Sequence, residues 1–384
     1  MAAASSHPSL RFAVAASAAL AGFFVGIGTA PSAQDLGIRQ YKPTSTLRVP
    51  EHAVARARYP VIDIHSHHRR LSPERWAAIV REMDQQNLQV LVNLSGGSGD
   101  ELAANIQAIA TSPAPDRMVF FANLDYSDLD RPGYGARAAA RLDADVRAGA
   151  RGLKIFKNFG LTLKRGSGAR VPVDDPEFDA VWAACARLGV PVLIHTAEPA
   201  PFFEPVDETN ERWLELQIHP NRHRPAPQFP SFETLMAERD RLFARHPKTT
   251  FIAAHFAYHA NDLARLARLL DTHPNVVTET GAILAELGRQ PRTARAFFVK
   301  YQDRVLFGKD AYVASEYPYF WRTFETADEY FDYYRDYHAF WKLYGLDLPD
   351  QVLRKLYYAN ALRLVPRLPA TAFPPVAAEA TAAR

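Results

Sequence analysis

The chain has 384 residues, with 45 basic and 42 acidic side chains and a formal net charge of +3. A charge this close to balance argues against a nucleic-acid-binding stripe and against a field that attracts acidic substrates. The single cysteine, Cys185, excludes an internal disulfide and a thiolate zinc cluster. Its position in the segment FDAVWAACARLG predicts that it lies on the buried face of a helix.

Residues 1–33 predict a signal peptide. An apolar run follows Arg11 and ends in small residues before PSAQ, a pattern typical of a secretory leader cleaved near Ala30 or Ala33. A retained membrane anchor is the alternative, although the run is marginal against the roughly 20 residues that a bilayer requires. We expect a periplasmic or secreted protein with no stable membrane insertion once the signal is removed.

Apolar runs alternate with helix-like segments along the rest of the chain. The eight candidate strands lie at residues 61–65, 88–94, 117–124, 151–156, 190–195, 249–255, 275–280 and 304–310. This alternation predicts an α/β fold with a parallel sheet, and eight units predict a closed (β/α)8 TIM barrel over residues 59–366. A doubly wound open sheet is the competitor, but no dinucleotide-binding fingerprint opens the sequence.

Local signals support the helices between these strands. Ser72 can cap a helix with Pro73 at its first position, and Gly189 suits the end of the helix that contains Cys185. Long loops follow strands 5 and 8, and we expect them to form lids or a homodimer contact. The remaining segments are an N-terminal extension over residues 34–58 and a disordered tail over residues 367–384.

Metal-competent side chains gather at the predicted carboxyl ends of four strands. They are His65 and His67 after strand 1, His195 after strand 5, His255 after strand 6 and Asp310 after strand 8. The carboxyl ends of barrel strands are where such enzymes hold their active sites. Neutral imidazoles with one carboxylate suit zinc, although iron, manganese or nickel would also accept them. The pattern therefore predicts a site for a divalent metal.

This ordered set of H-x-H followed by strand-end His, His and Asp resembles the amidohydrolase superfamily, in its amidohydrolase-related branch. That branch includes aminocarboxymuconate-semialdehyde decarboxylase and other nonoxidative decarboxylases besides hydrolases. The resemblance extends to YYANALRLV, which is similar to the closing helix of the family. It implies that one divalent metal with a water is held by His65, His67, His195 and Asp310, and that His255 lies beside the water as a base or orienting group.

Three further residues are candidates for catalysis or substrate binding. Lys154 lies on strand 4, where binuclear superfamily members carry a carboxylated lysine between two metals; a contact with a substrate anion or water is the interpretation we favour, and a structural salt bridge is the third alternative. Arg212 could reach a substrate from the loop after strand 5, or pair at the surface. Glu279 ends strand 7, where it could contact substrate or support a ligand histidine.

The resulting hypothesis is a metal-dependent hydrolase that activates a water to cleave an amide, lactone or ester bond in a small molecule. In this hypothesis His255 or Asp310 takes the departing proton. Nonoxidative decarboxylation of a small aromatic or unsaturated carboxylic acid is the main alternative. A non-catalytic barrel would be expected to lose at least one of the metal-competent groups, and a metal-dependent nuclease would normally carry a carboxylate on strand 4.

Overall fold

The computed structural model describes residues 36–338 and 341–375. A small unit ends at Thr44, and residues 38–40 within it form a turn. The large unit begins at Ser45 and carries all the strands and helices named below. The predicted signal peptide over residues 1–33 lies outside the described residues and stays a prediction.

Nine strands fill the eight predicted positions. They are β1 Val61–Ser66, β2 Leu88–Asn93, β3 Met118–Phe120, β4 Ala122–Asn123, β5 Leu153–Ile155, β6 Val192–Ile194, β7 Phe251–Ala253, β8 Val276–Glu279 and β9 Val305–Leu306. Every strand pair is parallel, in the order of the chain. Phe121 interrupts the third position, so β3 pairs with β2 whereas β4 pairs with β5. The strand positions confirm the predicted α/β barrel.

The strands do not close into one continuous ladder, which corrects the prediction of a closed barrel. A three-stranded sheet and a six-stranded sheet are present, and the first and last strands meet through a bridge between Ser66 and Asp310 and a bond from the Ile64 amide to the Phe307 carbonyl, without forming a continuous ladder. The amide of Asp310 donates to the His65 carbonyl over 2.7 Å. Because Asp310 has a φ of 84°, the chain leaves strand geometry there. The same irregularity brings its carboxylate beside the end of β1.

Helices separate most of the strands. They are α1 Pro73–Gln86, α2 Gly99–Ala110, α3 Tyr134–Ala148, α4 Asn158–Leu161, α5 Asp179–Leu188, α6 Trp213–Ile218, α7 Phe232–Arg245, α8 Leu263–Thr272, α9 Leu284–Gly288, α10 Pro291–Lys300, α11 Tyr317–Glu325, α12 Asp350–Arg354 and α13 Asn360–Leu364, with a π-helical turn at Lys355–Ala359 between the last two. Ser72 caps α1 by accepting a bond from the amide of Arg75, and Gly189 ends α5 with a φ of 65°. Cys185 is fully buried on α5, as predicted.

Both long loops contain short helices. The segment after β6 includes α6 and two 3-10 turns, Ala200–Phe203 and Pro220–Arg222. The segment after β9 includes α11 and the turn Asp336–His338. In the part of the chain that the structure describes, no helix is long and apolar enough to cross a membrane.

The start of the predicted tail packs on the barrel. Residues 370–372 form a 3-10 turn, and the buried ring of Phe373 stacks on Tyr358 with 5.4 Å between ring centroids. The remaining tail residues, 376–384, lie outside the described residues. The disordered tail over residues 367–384 stays a prediction.

Candidate active site

Three donor atoms converge where β1 and β9 meet. His65 Nε2 lies 3.2 Å from His67 Nε2, and Asp310 Oδ1 lies 3.5 Å and 3.6 Å from these two nitrogens. Tetrahedral ligands at 2.0–2.1 Å from zinc stand about 3.3 Å apart. The three atoms therefore fit around a single divalent ion, as His65, His67 and Asp310 were predicted to do.

Glu279 orients His65 for this role. Its Oε1 lies 2.9 Å from His65 Nδ1, so Nδ1 carries the proton that is donated and Nε2 presents its lone pair to the metal position. The carboxylate also accepts from the amides of His255, over 2.7 Å, and Gly281, over 2.5 Å. Glu279 is fully buried. The contact with His65 corresponds to one of the two predicted roles, the support of a ligand histidine.

A glycine makes room for this buried carboxylate. A Cβ at Gly308 would lie 2.3 Å from Glu279 Oε2 and 2.9 Å from His65 Cβ. Neither the Glu279 carboxylate nor the His65 side chain can move away, because both are held by the hydrogen bonds just described. Gly308 therefore allows β9 to pass close to the histidine and its support.

Asp63 ties the same strand to the last one. Its Oδ1 accepts from the amides of His65 and Lys309, and its Oδ2 accepts from the Tyr317 hydroxyl over 2.6 Å. Burial raises the pKa of Asp63 to about 7, although these donors act in the opposite direction. The carboxyl group thus bridges the irregular junction of β1 and β9 and fixes the backbone that carries His65.

His67 receives its support from the loop after β2. Its Nδ1 lies 2.7 Å from Ser95 Oγ. Ser95 begins the glycine-rich segment SGGSGDE, which precedes α2. The loop therefore borders the metal position through a hydroxyl that holds the ligand ring.

His195 and His255 form a separate hydrogen-bonded chain with Tyr258. His255 Nδ1 must donate to the Gly281 carbonyl, 2.8 Å away, so His255 Nε2 accepts from His195 Nδ1 over 3.2 Å. His195 Nε2 then accepts from the Tyr258 hydroxyl over 2.7 Å. Burial raises the pKa of Tyr258 well above its usual value, which keeps the phenol protonated as this chain requires.

This arrangement separates His195 from the other predicted ligands. Among the described residues, no set that contains His195 has three or more donor atoms all within 4.8 Å of one another. With the tautomer described above, the lone pair of His195 Nε2 accepts from the Tyr258 hydroxyl. The structure therefore supplies three of the four predicted ligands directly, and three protein ligands are the usual number at a catalytic zinc.

The backbone that carries this chain is strained. Four consecutive residues, His255, Phe256, Ala257 and Tyr258, have φ values of 58°, 53°, 53° and 57°. Each such residue costs on the order of 1 kcal/mol, and left-handed conformations are rarely consecutive outside glycine. The turn places His255 and Tyr258 on the two nitrogens of His195. Sequence patterns carry no signal for such a turn, and Tyr258 was not predicted.

Lys154 is fully enclosed, with 1% of its surface exposed, and its Nζ has no hydrogen-bond partner among the described residues. Burial lowers its pKa to about 8, while Asp310 and Glu279 act to raise it. A structural salt bridge, one of the three predicted roles, is not formed. The favoured role, contact with a substrate anion or water, and the bridging role both remain available to this amine.

The protonation states of His65, His67 and Asp310, which we call the metal set, suit the binding of a cation. Burial lowers the pKa of His67 to about 4 and that of His65 well below its usual value, so both rings are neutral at pH 7. Burial acts to raise the pKa of Asp310, but the surrounding histidines and Lys154 lower it to about 2. Two neutral imidazoles and an ionised carboxylate are the protonation states that metal ligation requires.

A cavity of about 320 Å³ opens beside this set. His195, His255, Tyr258 and Asp310 contribute to its wall, and the loop after β6 and the residues around α9 supply most of the remainder. The volume lies within the usual range for small-molecule sites. The cavity therefore joins the metal position to a space that a small substrate can occupy.

Arg212 lies in the wall of this cavity but is occupied by acidic partners. It bonds Glu215 Oε2 over 2.7 Å, pairs with Glu286, and lies 3.0 Å from His338 Nε2. Its side chain is buried. Of the two predicted roles, pairing is therefore realised, although inside the cavity wall and not at the surface. Sequence reasoning did not single out Glu286 or another wall residue, Arg335.

Comparison with known proteins identifies the family. A family model described as amidohydrolase matches residues 62–367. No curated protein matches the chain. Among solved structures, 2,6-dihydroxybenzoate decarboxylase complexed with 2,6-dihydroxybenzoate is 16% identical with a TM-score of 0.50, covering 80% of this chain and 99% of that one. An uncharacterised TIM-barrel protein from Bordetella bronchiseptica is 17% identical with a TM-score of 0.47, covering 79% and 98%.

At these identities the decarboxylase shows a shared fold and nothing about the reaction. The family match is stronger evidence of relationship, because it spans most of the chain and includes every residue of the metal set. Members of this superfamily are enzymes that use divalent metals, in agreement with the donor atoms described above. The chain therefore belongs to the amidohydrolase family.

Proposed function

We propose that this enzyme hydrolyses a C–N or C–O bond, as in an amide, lactone or ester, of a small molecule. The observation that carries the proposal is the convergence of His65, His67 and Asp310 on one metal position beside a cavity of small-molecule size. When bound, the divalent ion lowers the pKa of a coordinated water from 15.7 to about 7. Zinc suits this donor set best, and iron, manganese and nickel are alternatives.

His255 is the better proton acceptor of the two candidates. Asp310, with a pKa of about 2, stays ionised and holds a proton poorly at neutral pH. His255 lies on the cavity wall with its Nδ1–H on the Gly281 carbonyl, so Nε2 is the nitrogen that would take a departing proton. The incoming proton would replace the hydrogen bond that His195 Nδ1 donates to Nε2. From Nε2 the proton could be returned to the leaving group.

Decarboxylation of a small aromatic or unsaturated acid is the second candidate. The unpartnered ammonium of Lys154 favours it, because a buried cation near the metal set could hold the carboxylate that leaves as carbon dioxide. The fold shared with 2,6-dihydroxybenzoate decarboxylase is consistent with either reaction.

A panel of lactones, amides, esters and aromatic carboxylic acids separates the two reactions, with product analysis for hydrolysis and gas detection for carbon dioxide. We expect hydrolysis by the metal-loaded enzyme and none after chelation. Carbon dioxide release without hydrolysis would replace the first candidate by the second. Elemental analysis should find about one metal per chain, and a value near two would make Lys154 a bridging ligand.

His255→Asn tests the assigned base. General-base removal typically lowers turnover by about 10²–10⁴-fold, while metal content should remain near that of the wild type. The control is His223→Asn, since the His223 ring lies in the loop after β6 and bonds only the Glu204 carbonyl. Unchanged turnover in the His255 variant would remove this residue from the mechanism.

We also propose a periplasmic or secreted location, which rests on the apolar run before Ala30 and on no structural feature. Amino-terminal sequencing of protein from the native host should begin after Ala30 or Ala33. A mature chain that begins at Met1 would contradict cleavage. A homodimer through the long loops stays a prediction, and light scattering would test it.

A further inference from the structure

We infer that the cavity binds a substrate that carries a carboxylate away from the reacting bond, and that Arg335 holds this carboxylate. The inference rests on the proposed function in one respect, namely that the cavity beside the metal set is the substrate site. It adds the chemical class of the substrate and a specificity-determining residue in the segment after α11. The argument depends on which cavity charges already have partners.

The other charged side chains of the cavity wall, apart from Asp310 in the metal set, form ion pairs. The pairs are Lys157 with Glu198 at 2.7 Å, Arg212 with Glu215 at 2.7 Å and with Glu286, Arg222 with Glu215 at 2.5 Å, and Glu211 with Arg289 at 2.8 Å. Each of these side chains has its charge balanced within the protein. They shape the wall and have little charge left for a ligand.

Arg335 is the exception. Its guanidinium forms no ion pair within 4.0 Å and donates no hydrogen bond to the described residues, although it lies in the cavity wall. It lies over the rings of Tyr334 and Tyr337, 5.4 Å and 6.0 Å from their centroids. Glu316 acts on it from further away and already bonds Lys309 Nζ over 2.5 Å. Arg335 is thus a half-buried cation whose guanidinium has no hydrogen-bond or ion-pair partner among the residues that the structure describes.

The two tyrosine rings give this cation a fixed place without neutralising it. Stacking on aromatic faces is a property of the planar guanidinium, and it leaves the edge with its N–H groups available. A guanidinium edge matches a carboxylate in a bidentate pair, the strongest of the common charge-assisted hydrogen bonds. A half-buried arginine in this state therefore points to an anionic ligand group, of which a carboxylate fits best.

The position of Arg335 indicates which end of the substrate would contact it. Asp310 and His255 belong to the same cavity wall, and they mark the reacting end. Arg335 comes from the segment between α11 and the turn Asp336–His338, outside the barrel strands. A small substrate would place its reacting group at the metal set and its carboxylate on the loop arginine. This contact is distinct from Lys154, which is fully enclosed beside the metal set and does not line the cavity.

Calorimetric titration of the zinc-loaded protein with glutarate and its monoamide, glutaramate, tests this contact without turnover. Both probes can place one carboxylate at the metal, but only glutarate offers a second one to Arg335. We expect the wild type to bind glutarate at least about tenfold more tightly than glutaramate. In Arg335→Gln the two affinities should agree within about twofold, and Arg335→Lys should retain part of the preference.

The control is Arg354→Gln, because Arg354 also stacks on a tyrosine, Tyr59 at 4.4 Å, but lies outside the cavity. It should keep the full preference for glutarate, and zinc content and thermal unfolding should be equal in all variants. No preference in the wild type, or an equal preference in Arg335→Gln, overturns the inference. Failure of the proposed hydrolysis would show in the substrate panel and not in this titration, so the two failures are distinguishable.

Discussion

The metal set and the wall of the neighbouring cavity differ in whether their buried charged groups have partners within the protein. In the wall, carboxylates and guanidiniums neutralise each other, as Arg212 does between Glu215 and Glu286. At the metal set, His65 Nε2, His67 Nε2 and Asp310 Oδ1 face one another with no protein cation between them. Around a bound divalent ion all three atoms would act as lone-pair donors, which His67 Nε2 can do because Ser95 Oγ can accept from His67 Nδ1.

The contrast teaches how to separate structural charges from functional ones. A buried charge with protein partners stabilises the fold only weakly, although removing one partner is costly. A buried group whose ring is oriented by a support and whose lone pair is left unused is arranged for a ligand. By this criterion we infer that the metal set and Arg335 bind ligands and that the paired charges of the wall serve the fold. The predictions below test this division, from the largest effect to the smallest.

Loss of a metal ligand should have the largest effect. In Asp310→Asn and in His65→Gln we expect zinc content well below one per chain and turnover reduced by far more than the about 100-fold that loss of a supporting residue costs. Elemental analysis and steady-state assays measure both quantities. The control is Asp262→Asn at the N-cap of α8, because asparagine caps a helix as well as aspartate. A fully loaded Asp310 variant would exclude Asp310 as a ligand.

Arg212→Met should act on stability and leave the metal in place. The change leaves Glu286 buried without its cation and takes one of two partners from Glu215, which predicts a loss of about 3–5 kcal/mol in the free energy of unfolding. Urea titration measures this loss, and Arg292→Met at an exposed site serves as the control. If the Arg212 variant kept its full stability but lost its zinc, Arg212 would belong with the metal-binding residues and not with the paired charges of the wall.

Glu279→Gln should weaken metal binding without abolishing it. The substitution replaces an ionised acceptor for His65 Nδ1 by a neutral one and sets an amide donor near the N–H of Gly281. Loss of such a support typically costs about 10–100-fold in metal affinity. Competition with a chelator measures the affinity. Wild-type affinity would show that His65 is held by its strand alone.

His259 should contribute a pH dependence of stability that is independent of the metal. Burial, with a further contribution from Arg239 and Arg265, lowers its pKa in the folded state to about 2. Below its ordinary pKa near 6.5 the unfolded chain takes up a proton that the folded chain does not, so stability falls as the pH falls. Between pH 7 and 5 the loss is about 2 kcal/mol.

His259→Gln should remove this part of the acid sensitivity, because the amide can still accept from Arg239 but does not titrate. Chelated wild type and variant are compared by urea unfolding at pH 7 and pH 5. Equal losses in the two proteins would mean that other groups, such as the histidines of the metal set, account for the whole effect.

The strands could be predicted because continuous apolar runs of five to eight residues between helix signals are a strong local pattern. The donor residues followed from the same pattern, since the carboxyl ends of parallel strands meet at one rim. The assignment of His195 as a ligand could not be tested by that reasoning. Whether its lone pair is free depends on Tyr258, which a left-handed turn carries to it.

Three other features could not be predicted from the sequence either. Phe121 interrupts the third strand position although nothing in RMVFFANL marks a break, and closure fails where Asp310 leaves strand geometry. Arg335 lies in the long loop after the eighth predicted strand, for which the sequence predicted a lid or a homodimer contact. Its function depends on which carboxylates lie elsewhere in the wall, and these come from distant parts of the chain.

By itself the sequence determined the order of strands and helices and the residues that can bind a metal, because these follow from local hydrophobic pattern and side-chain chemistry. Its ordered histidine and aspartate motifs carried a resemblance to the family, which the family model then showed. Only the tertiary structure decided which lone pairs point at the metal position, which wall charges cancel, and which cation remains for a substrate. The reason is physical: protonation, tautomer and pairing depend on neighbours within a few ångströms, and folding alone brings those neighbours together.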